Sequence, residues 1–239
     1  KINEKLENYF NFYRKISNPE VVSGRYGEYN YVIPNLPHKV KIIGLNSSLF
    51  CGYDKDDARN LAFGLDQVNN CEKIIGDDDF VITCFHHPFE CYNNLDNPSI
   101  NTIKRFSNII LTGHLHVPNT SSSISINEGK TVYVSAGASY EKRTSENSFN
   151  LIDLDFSKGE GKVMFYKYLS GSHCWIENKD INHSNNGIFP FEIPKTNYAD
   201  TIATTTVDIS NIEEENVPKT FLYEAVISVS YNELKRDTV

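Results

Sequence analysis

The sequence has few cysteines, and it has no long apolar run. Its five cysteines stand at wide, irregular spacings without a C-x-x-C pair, which excludes a zinc ribbon and a thioredoxin-type redox motif. This usage predicts free thiols in a reducing compartment, and we therefore expect a cytoplasmic protein. No stretch approaches the roughly 20 apolar residues that a membrane-spanning helix needs, so no membrane anchor is expected within the sequence.

Positive charge is also scarce. Lys and Arg number 23 against 31 Asp and Glu, so the net charge is −8. This balance does not favour nucleic acid or an anionic membrane as a partner. It leaves open a local cationic site, such as a bound metal.

The first half of the chain alternates predicted helices and strands, whereas the following part is typical of antiparallel hairpins. Apolar residues recur at helical spacing over residues 4–16 and 56–75, and Pro98 is suited to open a short helix. Strands are predicted over residues 40–45, 80–85, 109–111, 123–126, 131–135, 149–156, 162–168 and 223–229. The mixture predicts an α/β fold, a layered sandwich with a mixed sheet.

Four of the seven histidines lie in two clusters that directly follow predicted buried strands. His86 and His87 end the run 80–85, and His114 and His116 follow the run 109–111. Ligands of α/β proteins bind outside the carboxyl ends of strands, and residues i and i+2 of an extended segment point the same way. Either cluster alone is common in ordinary loops. Together they predict a metal site formed by three or four imidazoles.

Three segments carry a family resemblance. They are V-K-I-I-G-L-N-S at 40–47, V-I-T-C-F-H-H-P at 81–88 and L-T-G-H-L-H at 111–116, followed by hairpin strands within 132–138 and 149–156. In this order they resemble the C-terminal half of a calcineurin-like metallophosphoesterase. The resemblance implies an α/β/β/α sandwich over residues 1–170. We expect residues 171–239 to be a linker and the start of a further segment.

The resemblance also implies site residues and cofactors. His86 would ligate one metal together with His114, and His116 would ligate a second metal. His87 would be a neighbour near the substrate, although the residues alone do not separate it from His86. The expected cofactors are two divalent ions, and imidazole suits Mn, Zn, Fe or Ni. The implied function is hydrolysis of a phosphoester substrate by metal-activated water, as a phosphatase or phosphodiesterase.

The motifs that the family carries upstream of these histidines are absent from the sequence. They are Asp-x-His, Gly-Asp and Gly-Asn-His-Asp/Glu, which would supply a bridging aspartate, further ligands and the catalytic histidine. The catalytic residues are therefore unknown. The first residue is lysine and the only methionine is Met164. We expect the chain to be the downstream part of a longer polypeptide with an additional N-terminal half, and to lack a complete active site by itself.

Local carboxylates are poor substitutes for the missing ligands. Asp79 precedes His86 by seven residues on one predicted strand, which separates them by roughly 23 Å. Asp77 and Asp78 lie at the same end as Asp79, whereas Asp153 and Asp155 are expected to face solvent in a hairpin.

Two alternatives remain open beside the dinuclear hydrolase. One is a degenerate, non-catalytic domain that serves as an interaction module. The other is a mononuclear zinc site with His86, His114 and His116 as ligands and water in the fourth position. Metal stoichiometry separates the three hypotheses.

Overall fold

The structure is a computed structural model. It describes residues 6–16, 22–34, 36, 38–52, 58–115, 119–125, 129–139, 147–181, 184–194 and 225–229. Among these residues no helix has the length and apolar character needed to cross a membrane. The described chain divides into two compact units, the first reaching Ala136 and the second beginning at Gly137, with residue 36 grouped with the second.

The described part of the first unit contains three α-helices, two short 3₁₀ helices and seven strands. The α-helices are α1 (Glu7–Ile16), α2 (Leu65–Glu72) and α3 (Asn97–Phe106). The strands are β1 (Val22–Ser23), β2 (Tyr29–Val32), β3 (Val40–Gly44), β4 (Phe80–Phe85), β5 (Ile109–Thr112), β6 (Asn119–Ser125) and β7 (Gly129–Ser135).

These seven strands form one mixed sheet in the order β1-β2-β3-β4-β5-β7-β6. The central pairs β3–β4, β4–β5 and β5–β7 are parallel. The outer pairs β1–β2, β2–β3 and β6–β7 are antiparallel. The expectation of an α/β fold with a mixed sheet is confirmed. Because β3, β4 and β5 run parallel, the loops that follow them leave the sheet at the same edge.

The core of the first unit lies around the central parallel strands. The buried core cluster includes Ile43 of β3, Val81 of β4 and Ile110 of β5. Val68 on α2 and Ile103 on α3 belong to the same cluster. The apolar character of these strands is typical of parallel strands that are covered by helices.

The helix predicted over residues 56–75 is wrong over residues 58–64, and residues 56 and 57 lie outside the described residues. The structure has a helix only from Leu65 to Glu72. Leu61 instead pairs with Tyr92 in an isolated bridge, and its N–H donates to the carbonyl of Cys91. Gly64, directly before the helix, has φ of 79°, a conformation that breaks a right-handed helix. The helical spacing of apolar residues upstream of Gly64 therefore reflects tertiary burial and does not indicate a longer helix.

The second unit is built on the long hairpin β8 (Ser148–Asp155) and β9 (Glu160–Leu169). Strands β10 (Cys174–Glu177) and β11 (Ile188–Glu192) pair antiparallel with β9, and β12 (Ala225–Val229) pairs parallel with β8. The boundary expected after residue 170 falls inside this unit, because β10 and β11 extend the sheet of the hairpin.

Candidate metal centre

The two histidine clusters follow β4 and β5, which are adjacent parallel strands. Phe85, the last residue of β4, is in register with Thr112, the last residue of β5. Just beyond, the N–H of Gly113 donates to the carbonyl of His86 at 3.0 Å, so the two loops leave the sheet tied together. His86 and His114 are thereby brought to the same edge of the sheet.

Three imidazoles meet at this edge. The Nε2 atom of His86 lies 3.3 Å from Nδ1 of His114, and the ring centroids of His87 lie 4.8 Å from those of both other histidines. One nitrogen from each ring can be chosen so that all three lie within 4.8 Å of one another. Nitrogen ligands about 2.05 Å from a tetrahedral ion are about 3.3–3.4 Å apart. The His86–His114 pair therefore has the spacing of two ligands of one ion, and His87 lies close enough to belong to a group that could hold a metal ion.

The structure thus joins His86, His87 and His114, and it places His87 inside the group. His116 lies outside the described residues, and its role as a ligand stays a prediction. The three histidines differ in accessibility, since His87 is buried, His114 is half-buried and His86 is exposed. A cation bound here would be open to solvent and substrate on the side of His86.

His114 adopts a backbone conformation that is rare for a residue with a side chain. Its φ is 71°, and the N–H of Leu115 donates to the carbonyl of Gly113 at 2.9 Å. A positive φ at the centre of an i to i+2 hydrogen bond describes the strained form of the γ-turn. The turn reverses the chain directly after β5 and holds the imidazole of His114 near that of His86. Strain of this kind occurs preferentially at functional sites.

Ser47, in the loop after β3, holds the buried histidine. Its Oγ lies 2.9 Å from Nδ1 of His87 and accepts a long hydrogen bond of 3.4 Å from the backbone N–H of the same residue. The loop is itself fixed, because the N–H of Asn46 donates to Oε1 of Gln67 at 2.6 Å. Gln67 is only 1% exposed and donates to the carbonyl of Phe63.

A cluster of aromatic rings packs next to the loop that carries His86 and His87. Phe63 stacks on Tyr92 with centroids 4.0 Å apart, and it meets Phe85 edge to face at 5.0 Å. Phe85 directly precedes His86. Burial raises the pKa of Tyr92 above its usual value, and the Ser47 hydroxyl acts against that rise. The packing limits the freedom of the histidine loop and keeps its imidazoles in place.

A cavity of about 360 Å³ opens beside the loop after β3. Its lining includes Tyr26, Phe50, Leu65 and Asp66. Phe50 is three residues beyond Ser47, but neither Ser47 nor any of the three histidines lines the cavity.

No carboxylate or thiol joins the histidine group among the residues that the structure describes. Asp79 lies just before β4, at the opposite end of the strand from His86, as expected. It is engaged by Lys41 at 2.6 Å and Lys39 at 3.1 Å. Burial tends to raise the pKa of Asp79, but the N–H of Gly76 and the two ammonium groups outweigh it and lower the pKa.

Asp153 and Asp155, the other acidic residues considered from the sequence, pair with lysines of the second unit. Asp153 pairs with Lys162 at 3.0 Å, and Asp155 pairs with Lys158 at 2.9 Å. Both are half-buried residues of the second unit. The described residues therefore contain a histidine group that could hold a metal ion, and that group includes no carboxylate.

All five cysteines are free, as predicted. Burial raises the pKa of Cys71 and of Cys84 to about 12. A thiol with such a pKa stays protonated at neutral pH, and only the thiolate is a strong nucleophile or metal ligand. Neither cysteine is suited to chemistry at this site.

Sequence reasoning missed Ser47 and Tyr92. The signal for Ser47 was present, because Asn46-Ser47-Ser48 directly follows a predicted buried strand in the same manner as the histidines. If β3 is taken to run parallel to β4, Ser47 is placed at the same edge of the sheet as the histidines. Tyr92 carried no comparable signal, since its contact depends on how the loop after β4 folds back.

Comparisons with known proteins leave the family of this chain open. No protein-family model matches the sequence, and no curated protein has significant similarity to it.

Proposed function

We propose that the chain carries the histidine half of the metal centre of a calcineurin-like phosphoester hydrolase, a phosphatase or phosphodiesterase. The observation that supports the proposal best is the meeting of imidazoles from two loops at the carboxyl ends of adjacent parallel strands. The layered α/β/β/α sandwich implied by the same resemblance is part of the proposal. The substrate is a phosphoester, and the net charge of −8 makes a nucleic acid the less favoured kind.

His86, His87 and His114 would hold a divalent ion, and a set of three imidazoles suits Zn, Fe, Ni or Mn better than Mg or Ca. Such an ion supplies Lewis acidity toward a phosphoryl oxygen and lowers the pKa of bound water. The protein contributes the fixed ligand geometry. The tie between Gly113 and His86 and the turn at His114 set that geometry before any ion binds.

The dinuclear form of the proposal needs ligands beyond the described residues. In that form His116 would bind the second ion, together with carboxylates from the upstream motifs that the resemblance implies. A two-metal mechanism uses ions about 3.5–4 Å apart, a spacing that three imidazoles alone do not support.

A second candidate is a mononuclear zinc site with three histidine ligands and water in the fourth position. The 3.3 Å between Nε2 of His86 and Nδ1 of His114, which equals one edge of a zinc tetrahedron, favours it. In this form His87 takes the place that the sequence alone assigned to His116.

Metal analysis of the purified protein tests the proposal. We expect one or two tightly bound transition-metal ions per chain, and loss of at least one ion in His114→Ala. The matched control is His173→Ala, because His173 is exposed, belongs to the second unit and also has a positive φ, of 51°. The control variant should keep the wild-type metal content.

Hydrolysis of bis(p-nitrophenyl) phosphate and p-nitrophenyl phosphate by the polypeptide that the gene encodes completes the test. Loss of a conserved outer partner of a metal ligand alone costs about 10- to 100-fold, so His114→Ala should lower turnover at least about 100-fold. Two ions with turnover support the dinuclear hydrolase, and one ion supports the mononuclear site. Absence of both metal and turnover would leave the non-catalytic module.

The cellular compartment belongs to the same proposal. Five free cysteines support a reducing environment such as the cytoplasm.

A further inference from the structure

We propose that the cavity at the start of α2 is a binding site for a small organic cation, an ammonium group carried on an apolar body. The Asp66 carboxylate would attract the charge, and the rings of Tyr26 and Phe50 would contact the cation and its apolar groups. None of the histidines of the candidate metal centre lines this cavity. The inference therefore goes beyond the proposed metal centre and does not rest on it.

The size and the walls of the cavity are those of a small-molecule site. Its volume of about 360 Å³ falls in the range of roughly 300–1,000 Å³ that is usual for such sites. Two leucines and three aromatic residues contribute to the wall, and only a few polar groups join them. Mostly apolar walls with a few polar groups are typical of sites that orient one small ligand.

The opening of the cavity exposes apolar side chains together. Phe50 is 46% exposed and Leu65 is 47% exposed, and both line the cavity. Between them, a Cβ placed on Gly64 would contact only Phe50 among the described residues, at 3.8 Å. Glycine thus leaves space on this side of the wall. Exposed apolar groups that cluster mark binding surfaces more often than single ones do.

The charge of the lining selects the kind of ligand. Asp66 is the one charged residue among the described residues that line the cavity. The amide of Gln67, also in the lining, is engaged within the protein, because it accepts from the N–H of Asn46 and donates to the carbonyl of Phe63. A lining with one carboxylate and no lysine or arginine attracts a cation and repels an anion.

The carboxylate can accept a further hydrogen bond. The hydroxyl of Tyr26 donates to Oδ2 of Asp66 over a long distance of 3.4 Å. A carboxylate accepts through both of its oxygens, so this contact does not use its full capacity. Asp66 also lies in the first turn of α2, where a negative charge favours the helix. The test must therefore measure binding and not stability alone.

The aromatic rings favour an organic cation over a metal ion. The face of an aromatic ring attracts a cation that lies within about 6 Å of its centroid, and ammonium compounds are recognised in this way. Tyr26 already makes such a contact, since Cζ of Arg25 lies 5.8 Å from its ring centroid. Arg25 itself is exposed and does not line the cavity. A hard metal ion needs several oxygen ligands, which a single carboxylate does not supply.

Choline and its uncharged analogue 3,3-dimethylbutan-1-ol test the proposal, because the two molecules have nearly the same shape and differ in charge. ¹H–¹⁵N NMR titration of the protein in EDTA keeps any metal out of the experiment. We expect choline to shift the amide signals of Gly64, Leu65 and Asp66 with a dissociation constant of about 1 mM. The alcohol should bind about fivefold or more weakly, since a cation–π contact and an exposed ion pair are each worth a factor of about 2 to 5.

Variants separate the carboxylate from the ring. Asp66→Asn should weaken choline binding by a factor of about 2 to 5 and leave binding of the alcohol unchanged, whereas Asp66→Glu keeps the charge and should bind choline nearly as the wild type does. Phe50→Leu keeps an apolar side chain without the ring, and should weaken choline binding by a similar factor. The matched controls are Asp77→Asn and Phe12→Leu, at exposed residues outside the lining, and both should bind choline normally.

The comparison of the two ligands on the wild-type protein decides the proposal without any variant. Equal binding of choline and the alcohol would show that the cavity takes apolar molecules without regard to charge, and would overturn it. Unchanged amide signals at choline concentrations of about 20 mM, well above the expected dissociation constant, would also overturn it. Since the titration contains no metal, either result leaves the proposed metal centre to its own test.

Discussion

At the scale of single residues, the site depends on one backbone conformation and one buried hydrogen bond. His114 has φ of 71°, and the Nδ1 atom of His87 is 2.9 Å from a serine hydroxyl. Both features direct an imidazole toward a shared position, and the first does so at a cost in stability. A strained residue that is also a candidate ligand suggests that function has been retained against folding stability.

Two variants at position 114 measure this strain. Both His114→Ala and His114→Gly remove the imidazole, but only alanine retains a Cβ, which is unfavourable at this φ. The left-handed region costs an L-residue roughly 1–2 kcal/mol, partly offset by the greater chain entropy of glycine. We expect His114→Gly to be more stable than His114→Ala by about 1 kcal/mol in urea denaturation. Equal stabilities, or a more stable alanine variant, would show that the turn is unstrained.

The histidine positions themselves were predictable from the sequence. His86 and His114 follow apolar runs that can only be buried strands, and the carboxyl ends of parallel strands meet at one edge. The sequence did not separate His87 from His86 as a ligand, and only the fold shows both of them in the group. In an extended segment consecutive residues point to opposite sides, and His87 joins the group because the chain departs from the strand geometry after Phe85.

At the scale of elements, short-range chemistry explains the hairpin of the second unit. Oδ1 of Asp155 accepts hydrogen bonds from the N–H and the hydroxyl of Ser157 and from the N–H of Lys158. Together with the ion pair to Lys158, these bonds lower the pKa of Asp155 to about 2. Gly159, with φ of 73°, completes the turn before β9 begins. The turn between the strands predicted over residues 149–156 and 162–168 therefore depends on residues that are close in the chain.

The stability contributed by Asp155 should depend on pH. Its folded-state pKa of about 2 lies below the usual unfolded value of about 3.9, so its contribution is present above about pH 4 and is lost as the pH falls through 2. Asp155→Asn should cost about 1 kcal/mol at pH 7, after allowance for solvent screening, and nearly nothing at pH 2.

Urea denaturation of wild type and variant at several pH values measures the difference. Asp77→Asn, at an exposed aspartate of the first unit, serves as the control. A cost of Asp155→Asn that does not change with pH would show that the carboxylate charge plays no part in the turn.

The helix predicted over residues 56–75 shows where local patterns fail. Leu61 is fully buried, as the helical spacing predicts, and Phe63 is fully buried although it lies off that stripe. They reach the core through a bridge to the loop after β4 and through ring stacking. Burial produces the same apolar pattern whether or not the backbone is helical. The contacts of Leu61 and Phe63 with Tyr92, which is distant in sequence, decide between a helical and a non-helical backbone here.

At the scale of the whole molecule, the described residues form two units with separate sheets. All three histidines of the candidate metal centre belong to the first unit, and the only tryptophan, Trp175, lies in the second. Trp175 packs against Phe149 at 4.9 Å and Tyr168 at 5.3 Å, so its fluorescence reports on that unit alone.

Metal binding should therefore stabilise the units unequally. A ligand at 100 times its dissociation constant adds about 2.7 kcal/mol to the state that binds it. We expect Zn²⁺ to raise the midpoint of the unfolding transition seen by far-UV circular dichroism for the first unit, and EDTA to reverse the change. The transition seen by Trp175 fluorescence should stay in place. Equal shifts of both transitions would show that the units unfold as one.

The sequence by itself determined eight of the twelve described strands and the positions of the histidines, because these depend on alternation, apolar runs and residues near in the chain. Only the tertiary structure decided which histidines share a site, because Ser47, His87 and Tyr92 meet through contacts between loops that are distant in sequence. The parallel sheet links the sequence positions of the histidines to their shared site, because it brings the ends of separate strands to one edge. Side-chain packing then decides which groups face each other at that edge.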